Sequence, residues 1–240
     1  NVWAFGRKIN FGTLTAFIMY YNGSQWVDVT PANVGVLNIN LYCVYGTAAN
    51  NIWVGGYEYA FHYDGNNWNT YKVADSIIVG SISGNGKYLY LTTYSPWNNN
   101  DLRSIYLFRN NTFELIEQAP NYPIKFGLGL WARQNDLKTF TDGIITTKIN
   151  TDGTIDVNGW HRELTTTSFL GSYVIQSSKN VFAVGQVNTA YHFNGTDWAQ
   201  ININVQGHTV NPLAWFWGLW TDGKEVFICD RDNGIVYHGR

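Results

Sequence analysis

Short apolar runs separated by Asn, Asp and Gly recur along this chain at a nearly constant spacing. Asn1-Val2-Trp3-Ala4-Phe5-Gly6, Asn51-Ile52-Trp53-Val54-Gly55-Gly56 and Asn180-Val181-Phe182-Ala183-Val184-Gly185 share one pattern. They are too short and too rich in β-branched and aromatic residues for helices, and they predict strands. Each precedes a polar hairpin tip: Tyr21-Asn22-Gly23-Ser24-Gln25-Trp26, Tyr63-Asp64-Gly65-Asn66-Asn67-Trp68 and Phe193-Asn194-Gly195-Thr196-Asp197-Trp198. Gly23 and Gly65 are 42 residues apart and Gly195 lies 130 further on, close to three such periods. Degenerate tips fill the gaps at Phe108 to Phe113, Asn150 to Gly153 and Tyr237 to Gly239.

Weaker copies of the first pattern are Lys87 to Leu91, Leu137 to Phe140 and Glu225 to Ile228. Gly-containing apolar runs lead into the later copies: Leu41 to Gly46, Ile77 to Ile82, Phe126 to Trp131, Leu170 to Ile175 and Ala214 to Trp220. A full repeat therefore reads as four strands, a to d, with an Asn-Gly or Asp-Gly hairpin turn between c and d. A four-stranded unit of about 40–45 residues is a propeller blade. The pattern predicts an all-β propeller of six blades over repeats at approximately 1–34, 35–76, 77–123, 124–168, 169–211 and 212–240, forming one domain. Strands b and c occur six times, a and d only five times each, because the chain opens at a b strand and stops at Gly239-Arg240 inside a c–d hairpin. The first and last blades are thus expected to be incomplete, as in a piece of a longer protein or one whose flanking strands were left out. A seventh blade outside the sequence fits the same period.

Composition narrows the setting. The charged fraction is 13% against 17% aromatic, which suits aromatic-rich sheets with polar turns. A net charge of −2 supplies no basic field, so nucleic acid is not an expected partner. No run is long enough to cross a bilayer. A signal peptide or lipid anchor would lie upstream of residue 1. Cys43 and Cys229 are expected to be buried free thiols.

Asn51-Ile52-Trp53-Val54-Gly55-Gly56 and His62-Tyr63-Asp64-Gly65-Asn66-Asn67-Trp68 resemble the N-x-W-x-V-G and H-Y-D-G-x-x-W repeat of bacterial secreted or surface β-propellers, and the resemblance extends over nearly the whole chain. It implies the fold and an extracellular or cell-surface, lipoprotein-like setting. A looser similarity is to the Asp-box, S-x-D-x-G-x-x-W, of sialidase-type propellers. Here the acid abuts the glycine, as in Asp64-Gly65, and is Asn22 or Asn194 elsewhere.

Candidate chemistry is sparse. His62 and His192 share one slot of the repeat, and Trp26, Trp68, Trp160 and Trp198 recur at the start of strand d, as packing residues do. Asp230-Arg231-Asp232-Asn233-Gly234 has the D-x-D-x-G spacing of calcium loops, which makes Asp230 and Asp232 a weak calcium site lacking its later acidic ligand. A nucleophile elbow, a phosphate loop, HExxH and CxxC are all missing from the sequence.

Binding is therefore the expected class, on the face where b–c and d–a loops gather, since recognition concentrates in variable loops on a rigid scaffold. Two b–c segments are long insertions, Arg7 to Thr15 and Tyr94 to Arg103, whereas Tyr57-Glu58-Tyr59 is short. The second insertion places Tyr94 and Trp97 beside Asn98 and Asp101, an aromatic platform with hydrogen-bonding groups that suits a sugar ring or a protein hot spot. With Tyr57 and the d–a loop histidine His208, these form the candidate ligand-binding set. The expected function is a non-catalytic binding module or scaffold for a glycan or protein partner, for example a subunit of an envelope assembly. The alternative is a carbohydrate-active propeller enzyme with paired acids in a central channel.

Overall fold

Residues 2–10, 13–32, 34, 40–95, 97, 102–119, 126–166, 168–177, 179–203 and 210–239 are described in a computed structural model. Their 22 strands fall into six successive antiparallel groups, and the fold is a six-bladed β-propeller. The chain makes two compact units, Asn1–Asn135 with Ile149–Ile155, and Asp136–Lys148 with Asp156–Arg240.

In the first unit, β1 (Val2–Asn10), β2 (Thr13–Tyr21) and β3 (Trp26–Asp28) are the b, c and d strands of blade one. Blade two is β4 (Leu41–Ala48), β5 (Asn51–Gly56), β6 (Tyr59–Tyr63) and β7 (Trp68–Lys72). Blade three is β8 (Ile78–Gly84), β9 (Leu89–Tyr94), β10 (Arg103–Arg109) and β11 (Thr112–Ala119). The a strand of blade four, β12 (Gly129–Arg133), follows it, and Ala132 N–H donates to Ser83 Oγ at 3.1 Å. The second unit holds β13 (Asp136–Phe140), β14 (Gly143–Lys148) and β15 (His161–Thr165), then blade five as β16 (Leu170–Ser177), β17 (Asn180–Gly185), β18 (Ala190–Phe193) and β19 (Trp198–Gln200). Blade six is β20 (Phe216–Thr221), β21 (Val226–Asp230) and β22 (Ile235–Gly239). No helix among the described residues is long and apolar enough to cross a membrane.

Local chemistry explains the repetition. At each full c–d tip the Asn or Asp side chain accepts two backbone N–H groups: Asn22 from Ser24 and Gln25, Asp64 from Asn66 and Asn67, Asn194 from Thr196 and Asp197. The glycine that follows takes φ of 101–102°, where a side chain is strained. The tip aromatic then meets its tryptophan at 5.4, 5.3 and 5.2 Å in Tyr21–Trp26, Tyr63–Trp68 and Phe193–Trp198.

A second device repeats inside the blades. The Asn opening strand b binds a histidine of strand c, Asn51 to His62 at 2.8 Å and Asn180 to His192 at 2.7 Å. That imidazole stacks on the b-strand aromatic, Trp53 at 4.2 Å and Phe182 at 4.4 Å. Burial lowers the pKa of both histidines, so at neutral pH they are uncharged packing groups. His238 is a third copy, stacked on Phe227 at 4.4 Å, with Glu225 in the Asn position 3.6 Å from its Nε2.

An aromatic cluster of the first unit lies between blades two and three, where Trp53, Tyr71, Phe108 and Phe113 pack with Ile77, Val79, Ile82 and Leu91. Against expectation, the stretch from Arg7 to Thr15 is not a loop insertion. β1 and β2 run on as a paired hairpin from Arg7↔Ala16 to Asn10↔Thr13. The cysteines also divide. Both are free, with Cys229 exposed, contrary to the buried state expected of it. Cys43 is part-exposed as a residue, but its sulfur is enclosed, donating to the Val79 carbonyl at 3.7 Å, and burial pushes the thiol up to about 12.

Candidate functional site

The b–c turn of blade two, the connection into blade three and the b–c segment of blade three meet in the first unit. Tyr57 follows β5, its N–H donating to the Asn40 carbonyl at 3.1 Å. Glu58 then takes a left-handed φ of 62°, which turns its own N–H onto the Ile77 carbonyl at 2.9 Å. Ser76, also left-handed at 56°, gives its N–H to Glu58 Oε1 at 2.7 Å. Ser95, beyond β9, donates its hydroxyl to the Ser76 carbonyl at 2.9 Å. Two non-glycine residues in this sparsely populated region each cost of order 1–3 kcal/mol, which the surrounding hydrogen bonds offset.

Over this scaffold sits an aromatic pair. Trp97 is 61% exposed and meets Tyr57 edge to face, with centroids 5.2 Å apart and planes at 83°. Partial desolvation raises the Tyr57 pKa, and a hydrogen bond to the Glu58 carboxylate adds to the rise. The phenol is therefore protonated at neutral pH and donates its proton to the Glu58 carboxylate. Asp75 beside it pairs with Lys72 at 2.5 Å in a solvated ion pair. The result is an exposed indole, a phenol and a carboxylate on one turn cluster, able to stack on an apolar ring face and hydrogen-bond to hydroxyls.

Of the residues picked from the sequence, Tyr57 and Trp97 are thus brought into contact. Tyr94 lies at the end of β9, paired with Ile78 and Arg103. Asn98, Asp101 and His208 lie outside the described residues. The sequence reading passed over Glu58 and Ser76. The available signal was an acid directly after the aromatic in a two-residue b–c turn.

Asp230 is buried, and its carboxylate is engaged by its own turn. Oδ1 accepts from the N–H groups of Asp232 and Asn233 at 3.1 and 3.3 Å, and Oδ2 from the Asn233 amide at 2.7 Å. A calcium ion there would have to displace these donors, so the residues present suit a hairpin turn better than a metal loop. Among the described residues no three His, Cys, Asp or Glu side chains gather to hold a metal ion.

No protein-family model matches the chain, and no curated protein matches it. Solved structures do. The WD40 β-propeller domain of Doa1 aligns with a TM-score of 0.53 at 8% identity over 82% of this chain, which spans 64% of that domain. A protein of unknown function from Bacteroides caccae aligns at 0.54 and 8% identity, covering 94% of this chain and 82% of its own length. A functionally unknown protein from Desulfotomaculum acetoxidans aligns at 0.59 and 10% identity, covering 98% and 78%. At such identities the likeness is one of fold.

Proposed function

We propose that this chain is a non-catalytic binding propeller that recognises a glycan through the Tyr57–Trp97 platform, acting outside the cell or at a bacterial surface, where it would serve as a receptor subunit of an envelope assembly. The observation that carries the reading is the exposed Trp97 held edge-on against Tyr57 above the Glu58–Ser76 turn. An indole face matches the C–H face of a sugar ring, and the neighbouring carboxylate and phenol match its hydroxyls. With Glu58 and Asp75 beside it, the platform favours neutral over acidic sugars.

Several carboxylates are held by ion pairs and hydrogen bonds within their own blades. Glu114 is held by Arg109 at 2.5 Å and Asp136 by Lys148 at 2.6 Å, while Glu163 is held by Lys138 and by Thr146.

The test is a glycan array probed with the purified chain and with Trp97→Ala. Retention of neutral glycans that falls at least tenfold in the variant, with an unchanged melting temperature, is the expected result. Silence from a folded sample would overturn the glycan and turn the search to a protein partner. Conversion of any arrayed glycan would replace binding by catalysis.

A further inference from the structure

The Asp-rich turn of blade six sets one side chain in place. Arg231 donates its N–H to the Trp215 carbonyl at 2.9 Å, and Gly234 closes the turn by donating to the Asp230 carbonyl at 3.1 Å. From inside, the buried Asp230 carboxylate draws in the N–H groups of Asp232 and Asn233. Arg231 is thereby held against the a strand of its own blade, with its guanidinium over two indoles. Its Cζ lies 5.5 Å from the Trp215 ring centroid and 5.1 Å from that of Trp217.

A bulge brings the second indole to this position. The a strands β4, β8, β16 and β20 each skip one residue in their pairing with strand b: Tyr42, Gly80, Gly171 and Trp217. A residue left out of the ladder escapes the strict alternation of faces, which is how bulges re-aim a side chain. In β20 the step leaves Trp217 parallel to Trp215, with planes at 5° and centroids 5.7 Å apart. Blade five faces that ring with its own bulge residue, Gly171, which has no side chain to cover it; a Cβ there would stand 3.6 Å from Trp217 Cε3. Trp217 stays 49% exposed, and Arg231 is exposed beside it.

From this we infer that Arg231, Trp215 and Trp217 form a second recognition site, for a sugar acid, in which the guanidinium takes the carboxylate and the Trp217 indole takes the pyranose ring. A guanidinium lying over aromatic rings keeps N–H groups for a partner, and its fork matches both oxygens of a carboxylate. Arg109 is spent on Glu114 and Arg162 on Asp142, whereas among the described residues no carboxylate pairs with Arg231. Contact with two indoles also orders the side chain in advance, which lowers the cost of binding. The exposed indole matches the C–H face of a sugar ring. A neutral sugar would leave the guanidinium unused, and an aliphatic acidic peptide would leave the indole unused. The site is separate from the Tyr57–Trp97 platform, which lies in the first unit and has acids, not an arginine, beside its indole.

The experiment titrates the full chain by calorimetry with tetragalacturonate, beside its neutral counterpart galactotetraose and the acidic peptide tetraglutamate. Circular dichroism and a cooperative melt certify that every variant is folded. Saturable binding of the uronate, with neither control competing, is expected. Arg231→Lys keeps the charge but removes the fork, and it should weaken binding at least tenfold, as should Trp217→Ala. Asp232→Asn removes a like charge from the turn and should tighten binding. The proposal is overturned if the native chain does not bind the uronate, if galactotetraose binds as well, or if Arg231→Lys and Trp217→Ala both bind like the native chain. Equal competition by tetraglutamate would overturn the sugar and make the site one for acidic peptides. Trp97→Ala leaves this titration unchanged, so the platform and the Arg231 site stand or fall separately.

Discussion

Blades two and five carry the same signature and differ in what surrounds it. Both open on an Asn-bound, ring-stacked histidine, both end in an Asx-turn tip, and both hook their b–c turn onto the next segment by one N–H. Glu58 reaches the Ile77 carbonyl at 2.9 Å and Asn188 the Ala214 carbonyl at 3.0 Å. Blade two spends one left-handed residue on the turn, whereas blade five spends two, Val187 and Asn188 at 56° and 53°. In blade two the strained residue holds Ser76 with its carboxylate. In blade five Val187 is 49% exposed, and a valine gains nothing from such a backbone. Backbone strain thus comes with the repeat, and the site is marked by the side chain and by the insertion alongside it.

The widest gap between the two blades should appear in their cores. Trp53→Ala, removed from a closed aromatic cluster, is expected to cost about 4 kcal/mol in denaturant unfolding, against about 2 kcal/mol for the half-buried Phe182→Ala. Equal losses would show that the two inter-blade spaces are alike after all. By contrast, Asn51→Ala and Asn180→Ala remove the same hydrogen bond and should cost about 1 kcal/mol each. A difference above twofold would mean that the repeated device works differently in the two settings.

Acidification probes both blades together. The folded pKa of His62 and of His192 lies below the ordinary 6.5, so the unfolded chain takes up protons first as pH falls. Their contribution is complete above that value and is lost progressively below it, until the folded imidazoles protonate too. The melting temperature should decline from pH 7 to pH 5, and the decline should shrink in His62→Leu and His192→Leu. The smallest effect concerns the turns. Val187→Gly should stabilise by about 0.5–1 kcal/mol, while Glu58→Gly gives no gain, because relief of strain is cancelled by loss of the Ser76 contact.

The blades were legible because tip chemistry is local: Asn22, Asp64 and Asn194 set their turns through atoms two and three residues away. His238 escaped because Glu225 replaces the Asn that flags the other two copies. The paired extension of β1 and β2 escaped because Arg7 to Thr15 alternates too weakly to distinguish a solvated hairpin from a loop. Trp97 was legible as an exposed aromatic in an insertion, but its partnership with Tyr57 needed the connection through Ser76 and Ser95, which no spacing encodes.

The two thiols turn these arguments into rates. In the native chain the exposed Cys229 meets a thiol reagent without any opening of the fold, giving a single-site handle on blade six. Cys43, protonated and shut beneath Gly55 and Val79, reacts only when the space between blades two and three opens. Its labelling rate is therefore a clock for breathing of the first unit, read in the same tube as a cysteine that never waits.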